Sequence, residues 1–146
     1  MSIKHYTTMT SQVHIFGCTF DRLSMSEAVE CVFQLIGSRP NSCQYVVTPN
    51  VQHVVMLEHH EGLRRAYQDA ALVLADGMPV ILASKILGRG LPQRVAGSDM
   101  IPELFASASK YGGMRVYLLG AEPGVALRAA ENIMTRWPAV KIVGTY

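Results

Sequence analysis

The sequence predicts an α/β fold: Rossmann-like, a mostly parallel sheet with helices on both faces. Two observations predict it. Short aliphatic runs alternate about five times with helix-length segments, and the connections between them are short. The aliphatic runs also stop in a shared way. Val46-Val47 gives way to Thr48-Pro49-Asn50, and Leu72-Val73-Leu74 gives way to Ala75-Asp76-Gly77. In a parallel sheet these are the carboxyl ends of two strands, the edge at which α/β proteins bind ligands.

Residues 1–12 are polar and read as a loose leader; residues 13–146 read as a single α/β domain. Val13-His14-Ile15-Phe16 is a short strand ending at Gly17. Ser24-Met25-Ser26-Glu27 has capping-box spacing. The helix it opens sets Ala28, Val29, Val32, Phe33 and Ile36 on one face and stops at Gly37. Ser38-Arg39-Pro40-Asn41 is a turn, and residues 43–47 form the second strand. A helix starts near Pro49-Asn50, breaks at His59-His60-Glu61-Gly62, and a second short helix covers residues 63–70. Residues 72–75 are a strand. Residues 77–87 are a helix, in which Pro79 falls in the first turn. Gly88-Arg89-Gly90-Leu91-Pro92 is a loop. A helix over residues 101–111 follows, with Ser98 or Asp99 as its cap and Pro102 in its first turn, ended by Gly112-Gly113. Residues 114–119 make the clearest strand. Gly120-Ala121-Glu122-Pro123-Gly124 turns into a helix over residues 125–137, stopped by Pro138, and residues 140–143 form the last strand. A parallel sheet that stops right after a strand is expected to be incomplete at its C-terminus, so a fragment of a longer protein is expected.

Composition narrows the function. Hydrophobic residues are 49% and charged residues 16% of the 146, enough to bury a core. A net charge of +2 with scattered arginines is too small to argue for nucleic acid, and no nucleic-acid partner is expected. Cys18, Cys31 and Cys43 have neither CxxC spacing nor an even count, and read as reduced thiols of a cytosolic protein. No apolar run approaches the length of a membrane span.

Each candidate residue has two readings. Asp76 at a strand end is either a general base for a substrate hydroxyl or the N-cap of the next helix. Thr48 and Asn50 are either hydrogen-bonding groups for an uncharged polar ligand such as a sugar, or loop and cap residues. Removing either is expected to weaken binding with little effect on folding. Arg94 either pairs with a phosphate or forms a salt bridge to Asp99. The turn from Gly120 to Gly124 either offers backbone N–H groups to a diphosphate or is a plain tight turn; it lacks the P-loop Gly-Lys-Ser/Thr. His53, His59 and His60 lack HExxH spacing and read as solvated helix histidines, not metal ligands.

With these residues placed, the chain resembles the WecG/TagA/CpsF glycosyltransferase family from about residue 16 to 146. The matching pieces are Gly17-Cys18-Thr19-Phe20-Asp21 with residues 24–29, Thr48-Pro49-Asn50-Val51-Gln52, and Ala75-Asp76-Gly77-Met78-Pro79-Val80. They continue with Leu87-Gly88, Arg94-Val95-Ala96-Gly97-Ser98-Asp99, Val116-Tyr117-Leu118-Leu119-Gly120 with Pro123-Gly124, and Trp137-Pro138 leading to Ile142-Val143-Gly144. Seven pieces in order are specific where each alone is weak. The resemblance implies an inverting transfer of an N-acetylmannosamine-type sugar from a UDP donor to a lipid-diphosphate-linked N-acetylglucosamine, in bacterial surface-polymer assembly, with no metal or other cofactor. It implies Asp76 as catalytic base, with Thr48 and Asn50 lining the same pocket; Gln52, Arg94, Gly120 and Gly124 complete the expected substrate contacts. The expected setting is the cytoplasm at the inner face of the cell membrane, touched through a basic C-terminal segment absent here. Such a chain is expected to be sticky along its last strand, with a homo-oligomer one outcome. The alternatives are a non-catalytic nucleotide-sugar-binding module and an inactive truncated fragment.

Overall fold

The computed structural model describes residues 11–38 and 41–146. Most of the expected leader, and Arg39 and Pro40 of the expected turn, lie outside them. The chain divides into two compact units, one reaching to Met100 and the other Ile101–Tyr146. In both, strands alternate with helices, the mixed α/β arrangement expected, although the strands are short and pair two by two.

The first unit opens with a hairpin. Strands β1 (Gln12–Ile15) and β2 (Cys18–Asp21) run antiparallel, with Ile15 opposite Cys18. The two-residue turn has positive φ at Phe16 (54°) and Gly17 (69°), the sense that matches strand twist. The sequence reading missed β2. Its alternation is only four residues long, and Phe-Gly is not the Asn-Gly or Asp-Gly pair that marks such turns. Helix α1 (Met25–Ser38) follows with the expected capping box: the Glu27 N–H donates to Ser24 Oγ at 3.4 Å, and the Ser24 N–H donates to Glu27 Oε2 at 2.7 Å. Ala28, Val29 and Phe33 are buried, whereas Ile36 is exposed.

Strands β3 (Val46–Val47) and β4 (Leu72–Val73) pair in parallel, joined by helices α2 (Val51–His59) and α3 (Glu61–Asp69) that break at His60. Both strands are shorter than expected, but their hydrogen bonding continues at each end. The Ala71 N–H donates to Tyr45 O at 2.9 Å, Leu74 N–H to Val47 O at 2.9 Å, and Asp76 N–H to Pro49 O at 3.0 Å. The hairpin is tied to this pair by Asp21, whose Oδ2 accepts from the Val73 N–H at 2.9 Å and whose Oδ1 accepts from Gln12 Nε2 at 2.8 Å. Helix α4 (Met78–Ile86) leaves the end of β4. One core joins these pieces: Val13, Ile15, Cys18 and Phe20 of the hairpin, Val54 and Leu57 of α2, Val73 and Ala75, Val80 and Ile81 of α4, and Leu91.

Helix α5 (Gly97–Ser107) begins four residues before the expected start. The N–H groups of Asp99 and Met100 both donate to Ala96 O, at 3.1 and 3.0 Å, so the first turn is wound ahead of Pro102. Pro102 therefore sits inside the helix and costs one internal hydrogen bond there.

In the second unit a 3₁₀ turn (Ala108–Tyr111) ends at Gly112 in the left-handed region. Strand β5 (Met114–Leu118), helix α6 (Val125–Arg136) and strand β6 (Val140–Thr145) form one parallel βαβ unit. Val116 pairs with Ile142 but Tyr117 pairs with Gly144, so Val143 is an inserted bulge residue. The Tyr117 ring lies over Gly144 and leaves no room for a Cβ there. Phe105 and Trp137 rings meet at 5.3 Å.

Candidate active site

The site is built by the two strand ends of the first unit. The Asp76 N–H bond to Pro49 O sets the residue after β4 beside the loop after β3. Gly77 must then turn the chain into α4. Its φ of 134° is open only to glycine, and a Cβ there would come within 3.9 Å of Asn50 Cβ. A third segment joins the edge: the Val95 N–H donates to Ala75 O at 2.8 Å, which brings Arg94 alongside Asp76.

Arg94 bridges two carboxylates, donating through Nη1 to Asp76 Oδ1 at 3.1 Å and through Nη2 to Asp99 Oδ2 at 2.5 Å. The Asp76 side chain keeps 31% of its surface open to solvent and Arg94 39%. The cap reading of Asp76 is thereby decided. Helix α4 is capped by Gly77 with no side-chain hydrogen bond, and the Asp76 carboxylate turns to Arg94 instead. For Arg94, the salt bridge to Asp99 is present and a second one, to Asp76, accompanies it.

Asn50 is a cap. Its Oδ1 accepts from the His53 N–H at 3.2 Å, and its own N–H donates to His53 Nδ1 at 3.3 Å. His53 thus closes a capping box at the start of α2, a part the sequence reading did not give it. Asn50 Nδ2 makes no hydrogen bond among the described residues, so the cap uses the Oδ1 end of the side chain and leaves the Nδ2 donor unspent. Thr48 packs on the start of α5: a Cβ on Gly97 would sit 3.3 Å from Thr48 Oγ1 and 3.7 Å from its Cγ2. Gly97 therefore permits the close approach that holds Thr48 at this edge, a role without a sequence signal beyond the glycine itself. Gln52 lies exposed in the first turn of α2. Thr48, Asn50, Asp76 and Arg94 are thus gathered by three adjoining segments, with Gln52 at the rim.

Gly120 and Gly124 belong to the second unit. Both have positive φ, 101° and 83°, and Ala121 between them has 75°. The Gly120 N–H is taken by Tyr146 O at 2.6 Å. Gly124 caps α6 without a side-chain hydrogen bond. Among the described residues no three His, Cys, Asp or Glu side chains are grouped as a metal site would need, and no helix is long and apolar enough to cross a membrane.

Comparison with known proteins decides the family. The model of the glycosyl transferase WecG/TagA/CpsF family matches residues 13–146. The chain belongs to the WecG/TagA/CpsF family. Among curated relatives, proteins of Staphylococcus aureus strains NCTC 8325 / PS 47, COL and MRSA252 are each 28% identical over 131 residues, 90% of this chain and 51% of the relative. Each is named N-acetylglucosaminyldiphosphoundecaprenol N-acetyl-beta-D-mannosaminyltransferase. The chain spans about half the length of these curated WecG/TagA/CpsF relatives. The matched span contains the whole strand edge, from Thr48 to Asp99.

Proposed function

We propose that this chain carries the strand-edge part of an inverting glycosyltransferase site. The reaction is transfer of an N-acetylmannosamine-type sugar from a UDP donor to a lipid-diphosphate-linked N-acetylglucosamine. The observation that carries the reading is the meeting of Thr48, Asn50, Asp76 and Arg94 at one edge, with Asp76 partly open and free of capping duty. The names of the S. aureus relatives support the sugar and the acceptor.

In this reading Asp76 takes the proton of the acceptor hydroxyl as that oxygen attacks the anomeric carbon. The bond from that carbon to the UDP oxygen breaks, and its electron pair leaves on the diphosphate. Attack opposite the leaving group inverts the anomeric centre. Arg94 holds the carboxylate in place, while Thr48 Oγ1, Asn50 Nδ2 and Gln52 hydrogen-bond the sugars. The turn at Gly120 and Gly124 is given no part in this reading: the Gly120 N–H is bonded to Tyr146 O and the Val125 N–H, which opens α6, to Glu122 O. No cofactor or metal enters, and no nucleic acid is a partner. The reading carries with it a cytoplasmic location at the inner membrane face, with membrane contact through length that the relatives have beyond the match. The match over half of the relatives' length also favours a second reading, a non-catalytic nucleotide-sugar-binding module.

The test is transfer from UDP-N-acetylmannosamine to an N-acetylglucosamine-diphospho-lipid. It is run with this chain alone and with the chain extended by the length its relatives carry. Transfer is expected from the extended form and little from the chain alone. In the extended form, Asp76→Asn should bind donor nearly normally and lose roughly two to four decades of turnover. Unimpaired turnover would reduce Asp76 to an ion-pair anchor. Donor binding without transfer in the extended form would favour the module.

A further inference from the structure

Helix α4 turns Val80, Ile81 and Ser84 inward, yet its outer face is also apolar. Met78, Leu82 and Ile86 recur every fourth residue with 54%, 52% and 85% of their surface exposed, and Leu87, at 54%, extends the row. Eight residues at the helical rise make a stripe of about 12 Å. A surface helix ordinarily sets polar groups on this side. The stripe starts two residues after Asp76, and Val51, the first residue of α2, is exposed at the same edge.

Charge says what kind of surface could cover it. From Gly77 to Ser98 the chain has no Asp or Glu, and its cations are Lys85, Arg89 and Arg94. Arg94 is held by Asp76 and Asp99. Lys85 and Arg89, at the far end of the stripe, have no carboxylate partner among the described residues; Arg89 Nη1 donates only to the His14 carbonyl, at 2.7 Å. A second copy docked by the same face would set these cations against their own kind. An anionic occupant matches them.

We propose that the exposed face of α4 seats on an anionic lipid surface. Leu82 and Ile86 would enter the headgroup boundary, and Lys85 and Arg89 would meet the lipid phosphates. One nine-residue helix makes such a contact weak and reversible. Preferring lipid over an acidic protein rests on the lipid-linked acceptor proposed above, since the stripe would bring that surface up to Asp76. Binding is read without donor, acceptor or turnover, so failure of the transferase reading and failure of this one are separate results.

The experiment is flotation of the 146-residue chain with vesicles of phosphatidylcholine, with and without about one-third phosphatidylglycerol. Binding to the anionic vesicles is expected, weakened by salt. Leu82→Glu with Ile86→Glu should lower the partition coefficient at least about tenfold, by the loss of two buried aliphatic side chains. Lys85→Glu should lower it several-fold while both variants keep the parent melting temperature. No binding to anionic vesicles, or binding unchanged in the double variant, overturns the proposal. So does a lipid-free dimer that the double variant abolishes, which would give the face to a second copy.

Discussion

Asp76 and Asn50 both follow an aliphatic run and both could cap a helix, but the fold uses only Asn50 that way. The difference lies in partners that come from elsewhere in the chain. Arg94, 18 residues on, turns the Asp76 carboxylate away from α4. Residue types were therefore legible in the sequence and their pairings were not, because each pairing depends on which segment lies alongside. The cysteines show the same dependence on surroundings. Burial, with the charge of Asp21 adding to it, pushes the Cys18 thiol up to about 11; burial raises Cys31 as well, while Cys43 is exposed. Thiolate is the reacting form. At pH 8 iodoacetamide should modify Cys43 first, Cys31 more slowly, and Cys18 only in denaturant. Early labelling of Cys18, read by peptide mass, would contradict its burial.

At the scale of elements, caps were legible and lengths were not. Ser24 with Glu27, Pro49-Asn50 and the break at His60 stand in the sequence as local chemistry. The start of α5 was misread because Pro102 suggests a first turn, whereas the preceding Ala96 carbonyl had already wound one. The capping role of Asn50 changes what its removal should do. Asn50→Ala should lower stability by about 1 kcal/mol, as lost caps do, besides weakening any sugar contact. Thr48→Ala, with no hydrogen bond from its hydroxyl among the described residues, should leave stability nearly unchanged. Urea denaturation of the two variants checks the contrast; equal losses would mean that Thr48 is also a structural residue.

For the whole molecule, alternation gave the fold class, and the strand-end grammar pointed to the edge where the candidate residues meet. Strand pairing was out of reach, since a hairpin closed by Phe-Gly and strands of two residues leave little periodic signal. The buried thiol also sets a pH limit on the fold. Cys18 is raised from 9.0 to about 11, so between these values the unfolded chain releases the proton first. Stability should be intact below pH 9 and fall as pH rises toward 11, and Cys18→Ala should lessen that fall. Urea midpoints from pH 8 to 11 would show it. The bond from the Asp76 N–H to Pro49 O carries a further meaning, in time. It lies past the end of the β3–β4 pair, between the Leu74–Val47 and Val95–Ala75 bonds. If the three open as one unit, their amides should exchange deuterium at a common slow rate, readable residue by residue by NMR. An Asp76 amide exchanging far faster than that of Leu74 would mean that this edge comes undone while the core stays closed. Thr48, Asn50 and Asp76 would then stand together for only part of the protein's life, and the waiting time for their reunion would set how often a substrate finds the edge assembled.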